Sequence, residues 1–143
     1  MPKRGGADPG PRKGRVTAIG GVFFRAKHRE ALASWYKEVL DLPVTDSATA
    51  QLGVTVWAAF DDDTTYFGPN RQEYMVNYRV DDLDAALQRL RAAGASVSPE
   101  VQQDEYGRFA WAVDPEGMRF ELWEPAAGFD ARDPADDPIE GTS

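Results

Sequence analysis

The chain contains no cysteine, and its 143 residues include a single histidine, His28. Without cysteine there is no disulfide framework, no thiol nucleophile and no thiolate metal site. His28 falls past the end of the first predicted strand, where it reads as a surface or capping residue rather than a metal ligand. Phosphate loop, nucleophile elbow, paired-carboxylate spacing and zinc motif are all missing. No apolar run approaches the roughly 20 residues that span a bilayer. The basic N-terminus has no apolar segment behind it, so neither a membrane span nor a secretory signal is expected, and a cytoplasmic location is the default expectation.

What is present is ordinary in amount and uneven in placement. With 42% apolar and 28% charged residues, the composition is that of a globular domain, and the length suits one domain. Lys3, Arg4, Arg12, Lys13 and Arg15 face only Asp8 near the N-terminus. Asp130, Asp133, Asp136, Asp137 and Glu140 face only Arg132 near the C-terminus. These excesses cancel, so the body between them carries the net charge of −8. An acidic body repels phosphate backbones and suits a neutral or cationic small molecule, although acidity also serves plain solubility. Residues 1–14 and 126–143 are rich in Gly, Pro and charge, and read as disordered basic and acidic tails. The folded domain is expected over residues 15–125.

Within that domain one order of elements occurs twice. Residues 16–26 read as a strand. Residues 29–40 place Leu32, Trp35, Tyr36, Val39 and Leu40 on one helical face, with Trp35 and Tyr36 expected in the core. Residues 51–60 and 64–67 read as strands around an Asp61-Asp62-Asp63 turn, closing a first module over 15–70. The second module, 71–125, begins with a strand at 74–80. A helix follows, capped by Asp81 or Asp82, lined by Leu83, Leu87 and Leu90 and stopped at Gly94. Strands at 95–101, 108–113 and 118–123 complete it, the last preceded by the turn Asp114-Pro115-Glu116-Gly117. An offset of 54 residues superposes Arg25 on Arg79 and Trp57 on Trp111.

Several segments are similar to one known superfamily. They are Val22-Phe23-Phe24-Arg25-Ala26-Lys27, the helix with Trp35-Tyr36-Lys37-Glu38-Val39-Leu40, Tyr78-Arg79-Val80-Asp81-Asp82-Leu83-Asp84, and the closing Asp114-Pro115-Glu116-Gly117-Met118-Arg119-Phe120-Glu121-Leu122-Trp123-Glu124-Pro125. Together they resemble the vicinal-oxygen-chelate superfamily of glyoxalases, bleomycin-resistance proteins and dioxygenases. The resemblance implies an α+β fold. Two βαβββ modules curl their mixed sheet into a cup, with helices on the convex side. It also implies that metal-dependent members hold a divalent ion at positions corresponding to Gly21, Phe67, Met75 and Glu121. Of these, Glu121 alone is a ligand for a hard or borderline ion. No metal and no cofactor are therefore expected.

Strand alternation turns Gly21, Phe23 and Arg25, Met75, Asn77 and Arg79, and Arg119, Glu121 and Trp123 toward the cup. Their neighbours Val22, Phe24 and Ala26, Val76, Tyr78 and Val80, and Phe120 and Leu122 turn toward the helices. Trp57 and Trp111 are expected on the cup side as a pseudosymmetric pair. There they either clamp a flat ligand with Phe23, Phe67 and Trp123, plug the cup, or enter a dimer interface. Asn77 supplies an orienting hydrogen bond. Tyr106 and Gly107 lie in a loop that is either a lid or an ordinary hairpin. Glu121 has three open roles: a general base of raised pKa, an ion-pair partner of a nearby arginine, or a binder of a cationic group.

The expected ligand-contacting set is thus Phe23, Trp57, Phe67, Met75, Asn77, Trp111, Arg119, Glu121 and Trp123, with Glu121 as the one catalytic candidate. The leading expectation is metal-independent capture of a small, aromatic, neutral or cationic molecule, as in the resistance-type proteins of the superfamily. The alternative is a glyoxalase-like lyase, isomerase or hydrolase, or a dioxygenase-type enzyme, using Glu121 as base or in a degenerate metal site. Neither nucleic acid nor membrane is an expected partner, and the resemblance implies a homodimer.

Overall fold

A computed structural model describes residues 13–45 and 47–127. Apart from Lys13, Gly14, Ala126 and Ala127, the two tails expected from the sequence lie outside the described residues. Ten elements follow in order: β1 (Val16–Ala26), α1 (Arg29–Leu40), β2 (Thr49–Leu52), β3 (Thr55–Asp61), β4 (Tyr74–Val80), α2 (Leu83–Ala92), β5 (Ser96–Val97), β6 (Gln102–Asp104), β7 (Gly107–Val113) and β8 (Arg119–Pro125). No helix among the described residues is long and apolar enough to cross a membrane.

The strands form one open, curled mixed sheet in the order β2-β3-β1-β4-β8-β7-β5, with β6 paired to β7. At its centre β1 and β4 run antiparallel, with Gly21 opposite Asn77 and Phe23 opposite Met75. On either side lies a parallel pair, β1 with β3 and β4 with β8. The expected α+β architecture with a curled mixed sheet is therefore the observed one, although β1, α1, β2 and β3 leave the first module one strand short of the expected βαβββ order. Both helices stop where the sequence provides for it. Asp41 is left-handed and its N–H returns to Lys37, while Gly94, at φ +82°, lets Ala95 donate back to Leu90. The cap of α2 is Asp82, whose carboxylate accepts from the Ala85 N–H at 3.0 Å. Asp81 instead accepts from the N–H groups of Gly14 and Arg15, so the ordered chain begins before residue 15.

Three strand expectations fail, two of them in the first module. Residues 51–60 are not one strand but the hairpin β2–β3, turning at Gly53 with φ +62°. A two-residue turn with a left-handed glycine first is a favoured hairpin connection, and it hides inside an otherwise unbroken β-rich run. Residues 64–67 are consequently not a strand; they belong to the connection between modules. In the second module, the strand expected over 95–101 shrinks to the two residues of β5.

Two apolar cores lie under the helices. Val80, Leu83, Ala86, Leu87, Ala110 and Leu122 close beneath α2, and Ala26, Ala33, Ala48 and Ala59 close beneath α1. A third core, of Phe67, Met75 and Trp111, sits on the opposite face of the sheet, inside the cup. Trp57 belongs to the α1 side. It meets Phe24 edge-on at 5.1 Å and Tyr36 at 5.5 Å, so its expected place in the cup is wrong. Val56 and Ala58 hold the cup-facing register that a constant 54-residue offset had assigned to it. Trp35 is not core either; it is 52% exposed.

Candidate functional site

The concave face is built around one parallel pair, Asn77 of β4 beside Glu121 of β8. Each is 1% exposed. The Asn77 Nδ2–H donates to Glu121 Oε1 at 2.6 Å, and the Tyr66 hydroxyl donates to Oε2 at 2.5 Å. Both carboxylate oxygens are thereby occupied. The Trp111 indole N–H also acts on this carboxylate and pulls its pKa down, but it falls short of hydrogen-bond geometry. Burial pushes the Glu121 carboxyl above its ordinary value of 4.5, outweighing the opposing effects of Tyr66, Asn77, Trp111 and Arg119. Burial first, and then the Glu121 charge, drive the Tyr66 phenol far above its ordinary value, so it remains a donor.

Tyr66 reaches this position because its connection is pinned by Arg25. The guanidinium donates to the carbonyls of Gln72, Asp62 and Thr64 and lies 5.1 Å from the centre of the Phe67 ring. The pinned segment tips Tyr66 and Phe67 inward, where Tyr66 stacks on Phe60 at 5.4 Å and stands edge-on to Trp111 at 6.1 Å. Phe67 and Met75 are fully buried beside them.

Next to this plug is a cavity of about 380 Å³ lined by Gly20, Phe23, Thr45, Thr49, Ala50, Gln51, Val56, Asn77, Tyr106, Phe109 and Trp123. Such a volume lies within the range of small-ligand sites. Its aromatic wall is ordered: Phe109 and Trp123 stack at 5.6 Å with 12° between planes, and the Trp123 N–H donates to the Tyr106 carbonyl. The Arg79 guanidinium lies 4.2 Å from the Trp123 ring centre, and its Nε–H reaches the Val54 carbonyl. At the floor, Asn77 Oδ1 packs directly against Gly20; a Cβ there would sit 2.3 Å from that oxygen. That oxygen has no hydrogen-bond partner among the described residues.

Of the sequence-predicted contacts, Phe23, Asn77 and Trp123 line the cavity. Phe67, Met75, Trp111 and Glu121 lie in the plug beside it, and Arg119 stacks on Trp111 at 5.3 Å. Trp57 is on the far side of the sheet. Tyr106 and Gly107 form the β6–β7 hairpin, with Tyr106 on the cavity wall. Tyr66, Gly20 and the β2–β3 wall were missed. The position matching Glu121 in the first module is also corrected. Phe23 faces Ala58 as Asn77 faces Glu121, so the counterpart is Ala58 and not Phe67.

The residues present do not fit a divalent ion. Glu121 is surrounded by N–H and O–H donors, which satisfy an anion and compete with a cation for its oxygens. Ala58, Gly21 and Met75 provide no oxygen or nitrogen ligand. Among the described residues no group of three or more His, Cys, Asp or Glu side chains converges.

A family model described as a glyoxalase-like domain matches residues 21–123. A search of the curated proteins finds no match. Among solved structures, the chain is similar to methylmalonyl-CoA epimerase from Mycobacterium tuberculosis, at 19% identity and a TM-score of 0.59 over 79% of this chain and 91% of that one. A variant of the Streptomyces coelicolor epimerase matches at 17% identity and a TM-score of 0.59, over 79% and 100%. A hypothetical protein from Bacillus halodurans matches at 10% and 0.61, over 78% and 96%. These identities carry the fold alone. The chain belongs to the glyoxalase-like family, within the vicinal-oxygen-chelate superfamily.

Proposed function

We propose that this glyoxalase-like protein binds a small aromatic molecule, neutral or cationic, in the cup without the help of a metal. The observation that carries this reading is the cavity itself: aromatic and aliphatic walls and a volume of about 380 Å³. Apolar walls with few polar groups suit a flat ligand that stacks on Trp123 and Phe109. The acidic body favours a cation over an anion and disfavours nucleic acid.

A second reading, an enzyme that moves a proton through Glu121, draws on the raised pKa of that carboxyl and on fold similarity to the epimerases. Against it, Tyr66 and Asn77 occupy both carboxylate oxygens, and Glu121 does not line the cavity. A proton acceptor must come within hydrogen-bond reach of its substrate.

Gly20→Ala tests the binding reading directly, because the added Cβ meets Asn77 Oδ1 at 2.3 Å and both Arg79 and Trp123 at 3.0 Å. A panel of planar neutral and cationic compounds, titrated against tryptophan fluorescence, should reveal binders of the natural chain that lose at least tenfold in affinity with Gly20→Ala. Silence across the panel would reject the reading, as would binding that the substitution leaves untouched.

A further inference from the structure

We propose that Phe129, which lies just outside the described residues, is the cup's intramolecular occupant, so that a ligand has to displace it to enter. This rests on the cup being a site for aromatic groups and adds how access to it is regulated. The starting point is where the chain leaves the domain. The Tyr106 carbonyl accepts two N–H groups, one from the Trp123 indole and one from the Ala126 backbone, each at 2.9 Å. Tyr106 and Trp123 both line the cavity. The chain after β8 therefore runs along the cavity wall.

Gly107 permits this close approach. At φ +134°, a Cβ there would lie 2.2 Å from the Glu124 carbonyl oxygen and 2.8 Å from the Ala126 nitrogen. Ala127 already stands in a turn, and Gly128 after it tolerates the backbone angles that a reversal of direction needs. At roughly 3.3–3.6 Å per residue, the step from Ala126 to Phe129 spans at most about 10 Å. Phe129 is the one aromatic residue in 126–143. It gains by leaving water, and the stacked Phe109–Trp123 pair offers it an aromatic surface, with the half-exposed Tyr106 at the edge. The Arg79 guanidinium, 4.2 Å from the Trp123 ring centre, gives the same wall a positive charge that suits the Asp130 carboxylate following Phe129. So short a tether sets an effective concentration in the millimolar range, so a modest fit fills the cup and a free ligand can still compete.

Calorimetric titration with indole, a flat neutral probe, separates this proposal from its premise. If Phe129 fills the cup two-thirds of the time, its removal raises apparent affinity about threefold, because only the open fraction binds. Phe129→Ser should therefore bind indole roughly threefold or more tightly than the natural chain. Ile139→Ser, which removes the other bulky apolar residue of the same segment, should leave the affinity unchanged. Equal binding by the natural chain and Phe129→Ser would overturn the occupant and leave the cup reading intact. An equal gain from Ile139→Ser would overturn it as well, because the effect would then not belong to the aromatic ring.

NMR of the full natural chain reads the seat without any substitution. The Phe129 ring should show cross-peaks to the Trp123 indole and the Tyr106 ring, and added indole should erase them. Cross-peaks that persist at saturating indole would refute displacement. If neither protein binds indole, the cup reading fails for this class of ligand and the cross-peaks alone decide. Their presence would uphold Phe129 as the resident of the cup, and their absence would overturn it.

Discussion

The two halves of the domain repeat one order of elements but divide the physical work unequally. Helix α2 buries Leu83, Ala86 and Leu87 against Val80, Ala110 and Leu122. Helix α1 buries Ala33 alone, and leaves Trp35, Val39 and Leu40 at 52%, 56% and 66% exposure. The cause lies in the sheet beneath. Under α2 it offers branched aliphatic side chains, into which leucines interdigitate. Under α1 it offers Ala26 and Ala59 with the edge of Trp57, joined by Ala48 from the loop before β2, a flatter surface that small residues fill. Topology alone therefore does not fix where stability resides. The second half supplies the firmer core and most of the plug, and the first supplies the β2–β3 wall and inserts Tyr66 and Phe67 into the plug.

The largest effect that sharpens this contrast is expected at Leu87. Truncation to Ala retains helix propensity and opens a void at a 3%-exposed site, which should cost about 2–5 kcal/mol in denaturant unfolding. Leu32→Ala in α1, at a half-buried site, should cost clearly less. Equal losses would break the comparison.

Much of this architecture was legible in the sequence. The bounds of β1 and α1 coincide with the pattern, and alternation along β1, β4 and β8 assigned Phe24, Val80 and Leu122 to the helices and Phe23, Asn77 and Glu121 to the cup. The failures share a cause. Overlooking the turn at Gly53 shifted the strand count by one, which put Phe67 in the place of Ala58 and turned Trp57 to the wrong face. Gly20 escaped notice because β1 slips register between Ile19 and Gly21, and a bulge redirects what alternation assigns. Tyr66 could not be read from periodicity. It meets Glu121 across 55 residues from an irregular segment that Arg25 helps to pin.

The next effect in size concerns this reach of the first half into the second. Tyr66→Phe preserves the ring stack but removes a donor from a buried carboxylate, and should cost about 1–3 kcal/mol near neutral pH. The pH dependence has a definite sign. Glu121 holds its proton more tightly in the fold than in the unfolded chain. Its contribution to stability is thus complete below the ordinary value of 4.5 and is lost as pH rises through the raised folded value. The hydroxyl of Tyr66 opposes that rise, so its removal should carry the loss to higher pH. Thermal unfolding of the two proteins between acid and neutral pH measures this; parallel profiles would show that Tyr66 does not act on Glu121.

The smallest expected effect tests the other side of the comparison. Trp35 is the largest side chain on the outer face of α1. It is 52% exposed, and its one close aromatic neighbour among the described residues is Tyr36 on the same helix, edge-on at 5.0 Å. Replacing it by Ser removes a side chain that water already reaches and leaves no sealed void, so the change in stability should stay below about 1 kcal/mol. The contrast between the helices requires this result. If Trp35→Ser instead destabilised the protein as much as Leu87→Ala, the face of α1 would have to be covered in solution, and the inequality between the halves would belong to the isolated chain rather than to the protein as it exists.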